Sequence, residues 1–330
     1  MAAKEKSVER PSLAYRARGL LLSQEIVLLI ILVVAVLVLG TRTDKFLTVN
    51  NLLNQGRLLT EVGLVALPMT LIIITGGIDL SVGAIFGLSA VVLGYTWLNL
   101  GFPLELAILS SIAAGALAGF INGLFIVRVG IPPLIMTLAT LALYRGLAEG
   151  ISQARSARGY PEWFFQLGQG EFLGVPTQLW ILLIATIITA IILARTVFGR
   201  SLYAMGNNEL AARFSGIPVK SYKLVIYTFS GLMAGLAGYI FVSRVSTTRS
   251  DMGTGLELDV IAAVVLGGTS IFGGSGSIVG TVIGFILIQL LKNGLSLTGV
   301  TGDATIIVIG IVLILSILGN NFIQRRTSGD

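Results

Sequence analysis

The sequence predicts an all-α, polytopic membrane protein with about ten transmembrane helices, and three observations carry that reading. Of the 330 residues, 55% are hydrophobic and only 12% charged, with a mean hydropathy of +0.92; soluble domains hold roughly twice that charged share. Apolar runs near the length needed to cross about 30 Å of hydrocarbon recur along the chain. Lys and Arg collect in alternate connections between those runs, as they do in loops facing the cytoplasm. Glycine, at 41 residues, is abundant, which suits helices that approach closely in lipid. Cysteine and histidine are absent. That removes disulfides, Cys and His nucleophiles, Ser-His-Asp triads and His/Cys metal sites together.

In chain order, residues 1–19 form a basic cytoplasmic tail with Lys4, Lys6, Arg10, Arg16 and Arg18, followed by an apolar run over 20–40. That run is longer than a signal-peptide core and lacks a small-residue cleavage site, so it is read as an uncleaved first span. Further spans are expected near 58–75, 82–98, 104–127, 134–150, 178–195, 222–242, 258–273, 277–292 and 303–320, with the pair 258–273 and 277–292 open to a re-entrant reading. The membrane domain is thus 20–320, and 321–330 is a second cytoplasmic tail. With both termini inside, thirteen of the 22 basic residues fall on the cytoplasmic side, five of them between 195 and 223. The net charge of +6 is accordingly assigned to loops and not to a nucleic-acid surface. The four spans of 58–150 run opposite to the four of 222–320, a parity that fits an inverted repeat.

Three interruptions carry most of the polar residues. In Phe198–Val219, Asn207 is expected to cap a short helix with Glu209 in its first turn, Gly216 to end it and Pro218 to stop it. Leu210, Phe214 and Ile217 make one apolar stripe, with Glu209 and Arg213 paired on another face. Such a helix either packs on its own bundle or docks a partner. In Thr75–Gly83, the Gly76–Gly77 pair permits dihedrals closed to other residues. Asp79 or Ser81 either caps the next span or places a polar group beside a translocation path or moving joint. Asn122 lies inside the fourth span, where interhelical hydrogen bonding is its default use.

The third interruption, Gly267–Ser277, carries Gly267, Gly268, Thr269, Gly273 and Gly274. A nucleotide-binding P-loop needs a Lys followed by Ser or Thr after its last glycine. No such motif occurs in the chain, so this is a Gly-rich break between spans. Glu61, Arg145, Glu149, Glu257 and Asp259 sit near span ends as snorkelling or hydrogen-bonding groups. They form no row of intramembrane carboxylates of the kind an ion-coupled pump uses. Beyond the spans, Trp163, Phe164 and Phe165 suit an interfacial segment. Arg155, Arg158, Arg244 and Arg249 are either solvated charges or receptors for an acidic extracytoplasmic partner.

The stretch GRSLYAMGNNELAARFSGIPV, with Glu209, Ala211 and Ala212 followed by Gly216-Ile217-Pro218, resembles the cytoplasmic coupling segment of ATP-binding cassette importer permeases. Together with ITGGIDLSVGA and VIAAVVLGGTSIFGGSGSIVGTVIG it is similar to the monosaccharide branch, which includes ribose, xylose, rhamnose and autoinducer-2 permeases, over roughly 45–320. The resemblance implies a type II importer permease of about ten spans in the inner membrane of a prokaryote. Its coupling loop, 196–221, would dock on a separate ATPase through Gly206, Asn207, Glu209, Leu210, Arg213, Phe214, Gly216, Ile217 and Pro218. It further implies a second permease subunit, identical or different, and an extracytoplasmic sugar-binding protein received at Arg155, Arg158, Arg244 and Arg249. ATP and Mg would sit on the ATPase, with no cofactor on this chain. The pathway or its gate would involve Gly76, Gly77, Asp79, Ser81, Asn122, Gly267, Gly268, Thr269, Gly273 and Gly274. The rival expectations are a permease for another small solute such as branched-chain amino acids, an ion-coupled carrier, and a membrane scaffold.

Overall fold

The computed structural model describes residues 24–302 together with 304, 305, 307, 308, 310, 311 and 314. Both expected tails, 1–19 and 321–330, and most of the expected span 303–320 lie outside the described residues. The apolar helices are α1 (Gln24–Arg42), α2 (Val49–Ile74), α3 (Val82–Leu98), α4 (Leu104–Leu124, prolonged by a π-helical turn over Phe125–Val129), α5 (Pro133–Ser152) and α6 (Thr177–Arg195). Two short helices follow, α7 (Val197–Asn207) and α8 (Glu209–Phe214), before α9 (Val219–Val245), α10 (Leu256–Leu266) and α11 (Ile278–Leu297). The α5–α6 connection holds a 3-10 turn, Glu162–Gln166, and a two-stranded ribbon of β1 (Glu171–Phe172) and β2 (Val175–Pro176).

Among the described residues seven helices are long and apolar enough to cross a membrane: α1, α2, α4 with its π turn, α5, α6, α9 and α11. α3 has 17 residues. The expected span 258–273 stops at Leu266, leaving an 11-residue α10 with a rise of about 16 Å, half the hydrocarbon thickness. The reason is local. Gly268, Gly273, Gly274 and Gly276 all take positive φ, and a right-handed helix cannot run through them. By contrast, 277–292 belongs to a full-length helix that continues to Leu297.

The centre of the bundle is the α4–α9 seam, where glycines bring backbone against backbone. A Cβ at Gly119 would strike the carbonyl of Tyr227, one at Gly115 the carbonyl of Gly231, and one at Gly231 the carbonyl of Gly115. These are small-xxx-small contacts in lipid. α9 also packs on α2 and α3, α5 on α3, α6 on α2, and α1 on α11. Leu29, Ile30, Val33 and Leu37 of α1 and Leu134, Leu138, Leu143 and Leu147 of α5 face outward, as lipid-facing residues must.

Many polar groups inside the bundle pair with one another, since hydrocarbon offers no partner. An amide ladder joins α2 to α11: Asn51 and Asn293 exchange hydrogen bonds of 2.8 and 3.1 Å, and Gln289 donates to Gln55 at 2.8 Å. The hydroxyls of Thr70 and Thr281 meet at 2.8 Å, and Lys292 pairs with Asp259 at 2.6 Å.

Candidate coupling surface and buried polar site

At one end of the bundle the chain leaves α6 and turns into α7. Thr196 caps α7 by accepting a hydrogen bond from the Gly199 amide (3.2 Å), and Leu202 and Met205 bury its inner face. The expected cap at Asn207 is displaced by one residue. Asn207 is the last residue of α7, its side-chain amide donating to the Tyr203 carbonyl at 2.9 Å. Asn208, extended at φ −158°, caps α8 by accepting from the Ala211 amide at 2.9 Å. Of two adjacent asparagines, only the one with extended backbone can aim its side chain at the following amides. Gly216 ends α8 at φ +83°, the Gly216 and Ile217 amides donating to the Arg213 and Ala212 carbonyls. Pro218 then opens α9.

The expected Glu209–Arg213 pair does not form. The second turn of α9 brings Lys223 within 2.6 Å of Glu209 instead. α8 buries only Ala212; Leu210 is 63% and Phe214 83% exposed, while Ile217 is half-buried beside a groove of about 300 Å³ bounded by Glu209, Arg213 and Pro218. Among the described residues, Ile217 packs on this chain's own core while Leu210 and Phe214 are left uncovered.

The second interruption is buried. Asp79, Ser81, Asn122 and Ser230 are fully inaccessible, with Tyr144 and Tyr227 nearly so. Asp79 Oδ1 accepts from the Ser81 amide (3.0 Å) and hydroxyl (2.6 Å), and Oδ2 from the Ser230 hydroxyl of α9 (3.1 Å). Asn122 of α4 donates to the Ser81 hydroxyl at 2.8 Å. Tyr144 of α5 donates to the Ala118 carbonyl (2.9 Å) and lies 3.2 Å from Asn122 Oδ1. Ser81 thus occupies the N-cap position of α3 without capping it, because its hydroxyl is committed to Asp79. Among the described residues Asp79 takes part in no ion pair; neutral donors from α3 and α9 hold it.

The two Gly-rich breaks, far apart in sequence, meet beneath α7. The Gly274 amide donates to the Ile74 carbonyl at 2.9 Å. Gly206 sits where a Cβ would strike both of those groups, and a Cβ on Gly273 would lie 3.0 Å from the Gly206 carbonyl and the Gly76 amide. The Tyr203 hydroxyl donates to the Gly276 carbonyl at 2.7 Å, and burial raises the phenol above its ordinary pKa, which keeps it a donor. Gly267 packs against Gly280 of α11, while Gly268 and Thr269 lie in the turn behind. Residue-by-residue reading missed Tyr203, Ile74, Ser230, Tyr144 and Tyr227. Each is an ordinary span or helix residue whose role appears only through a distant neighbour.

At the opposite end, two of the four expected receptor arginines are engaged. Arg244 makes a two-point pair with Glu61 (2.7 and 3.1 Å) and lies over the Phe241 ring; Arg249 pairs with Asp251. Arg155 and Arg158 are exposed, and Arg155 borders a cavity of about 360 Å³ lined by Tyr95, Asn99, Gln153 and Thr248. Arg145 is tied to the Ser250 and Met252 carbonyls at 2.6 and 2.8 Å. Of the expected interfacial aromatics, Trp163 is exposed, but Phe164 is fully buried against Tyr160 and Phe165 packs on the core.

Residues 51–317 match the family described as branched-chain amino acid transport system / permease component. The chain belongs to this permease family. It is 39% identical over 300 residues to the ribose import permease protein RbsC of Escherichia coli K12, covering 89% of this chain and 92% of that one. It is 43% identical over 289 residues to RbsC of Bacillus subtilis 168 (87% and 89%). With the autoinducer 2 import system permease protein LsrD of Salmonella paratyphi A it shares 35% identity over 310 residues (92% and 93%). No solved structure matches the chain at a significant level. The permease is a multi-pass membrane protein, and its α8 surface and Asp79 cluster both fall within the matched residues.

Proposed function

We propose that this permease is the membrane-spanning subunit of an ATP-binding cassette importer for a small sugar. The observation that carries the reading is α8: a capped helix whose Leu210 and Phe214 stand exposed beside a groove, on a chain with no nucleotide-binding motif. Two large apolar side chains held in the open by a fixed helix are anchors for a partner. The partner that supplies energy is an ATPase, which would carry the ATP and Mg. The end bearing α8 is then cytoplasmic, with five basic residues between 195 and 223 on that side, and the membrane is the inner membrane of a prokaryote. The opposite end receives an extracytoplasmic sugar-binding protein, with Arg155 and Arg158 as the available cations. A second permease subunit completes the pathway.

The substrate class follows the relatives, which are import permeases for ribose and for autoinducer 2. The family description instead names branched-chain amino acids, so that class is the second reading. Passage is assigned to the region of the two short helices, α3 and α10, which hold corresponding places in the two halves of the chain and are flanked by the Gly-rich breaks. Interrupted segments in corresponding halves are a recurrent mark of a transporter's binding region.

Proteoliposomes with the cognate ATPase and binding protein test the reading. ATP-dependent uptake of a labelled pentose, outcompeted by sugar but not by leucine, is expected. Leu210→Asp combined with Phe214→Asp should abolish both uptake and co-purification of the ATPase. Uptake by the chain alone under a proton or sodium gradient would overturn the assignment.

A further inference from the structure

α8 is joined to the membrane part of the chain with almost no slack. Only Asn208 separates it from α7, and the last turn of α7 is fixed at three points. Tyr203 donates to the Gly276 carbonyl, Gly206 is pressed on the Ile74 carbonyl and the Gly274 amide, and Asn207 lies against Gly274. Ile74 is the last residue of α2, five before Asp79. The segment between them is itself tied down: the Gly77 amide and the Thr75 hydroxyl both bond to the Ile72 carbonyl, at 3.1 and 2.7 Å. Gly76, at φ +76°, makes the turn, its amide donating to the Ile73 carbonyl at 2.9 Å.

We propose that the last turn of α7 is a positioning wedge between the two Gly-rich breaks, through which Tyr203 and Gly206 deliver movement of α8 to the Asp79 cluster. The proposal rests on the docking role assigned to α8 above. A wedge needs contact without compliance, and Gly206 supplies it by placing backbone directly on backbone at both breaks. It also needs a second arrangement to move towards. Tyr227 marks one. Its hydroxyl is fully buried and, among the described residues, without a partner, 2.7 Å from where a Cβ on Gly77 would stand. Buried hydroxyls are normally satisfied, and a shift of the 75–81 segment, whose Gly77 lies beside it, would bring a backbone group within reach. Tyr227 and Asp79 also flank the same stretch of α9, since Ser230 lies one turn beyond Tyr227. Movement of the segment would therefore exchange hydrogen bonds within one cluster and leave the α4–α9 seam in place.

The test measures ATP hydrolysis and substrate uptake on the same proteoliposomes, containing the permease, its ATPase and its binding protein. Gly206→Ala should keep ATPase co-purification and lower uptake per ATP hydrolysed by about tenfold or more, because the added methyl has nowhere to go. Tyr203→Phe, which is conservative enough to fold, should lower that ratio about threefold through one lost hydrogen bond. A wild-type ratio in both variants overturns the proposal. So does loss of uptake only in step with loss of ATPase binding, which would make the turn merely structural.

The chain has no cysteine, so Asn207→Cys with Ser275→Cys reports the joint directly. Its cross-linking yield should differ between nucleotide-free and ATP-trapped complexes, and an unchanged yield overturns the wedge even where Gly206→Ala fails to fold. Failure of the docking reading shows separately, as retention of the ATPase by the Leu210→Asp, Phe214→Asp double variant.

Discussion

On α8, Leu210 and Phe214 hold apolar carbon out in the open, while Asp79 and five polar side chains around it are shut away inside a membrane bundle. Both arrangements run against the usual partition of residues, in opposite directions and with opposite remedies. The Asp79 carboxylate is satisfied from within, by Ser81 and Ser230, with Asn122 donating in turn to Ser81. The α8 face has no remedy among the described residues, because only Ala212 of that helix is buried. A mismatch settled internally belongs to the fold, whereas one left open belongs to an assembly.

That contrast is broken most forcefully at Asp79. Asp79→Leu strands the Ser81 and Ser230 donors together and should cost about 3 kcal/mol or more of stability, read as a lower thermal midpoint in detergent. An unchanged melt would mean that the cluster is not what holds α3 to α9. Next in size, Leu210→Asp with Phe214→Asp should weaken ATPase affinity by about 100-fold or more while the melt of the isolated permease stays within about 0.5 kcal/mol. A destabilised permease would show that α8 packs on its own bundle after all.

Ser230→Ala sharpens the interior side, since it removes one donor from Asp79 and should cost about 1–2 kcal/mol with ATPase binding intact. The smallest effect is expected at Glu209→Gln. Its pair with Lys223 is half exposed on the glutamate side, so it should change stability by under about 1 kcal/mol. Salt-insensitive binding in that variant would show that the pair sets the angle of α8 more than its charge.

The helices were legible in the sequence because span-length apolar runs have few other uses. Gly-rich punctuation located both breaks, and Gly216 and Pro218 ended α8 where their backbone preferences require. α10 was harder: 258–273 has the composition of a span, and only the positive φ of Gly268 and Gly273 reveals that it stops halfway. The cap moved from Asn207 to Asn208 because identical neighbours differ only in backbone angle, which no composition records. Asp79 was legible as a cap or a polar group at a path or joint, but not as the centre of a donor cluster. Ser230 was not, as it arrives from 151 residues away and looks like any small residue in a span. Arg244 read as a free cation until Glu61 was found beside it, and Phe164 read as interfacial until the 3-10 turn folded it inward.

The α4–α9 seam bears on how this chain can change over time. Gly115, Gly119 and Gly231 leave no room for a single methyl group, so every replacement there pushes two backbones apart. Those positions are closed to drift, and a lineage altering its cargo or its partners would have to write the change on outward faces such as α5, on the loop carrying Arg155, or on α8.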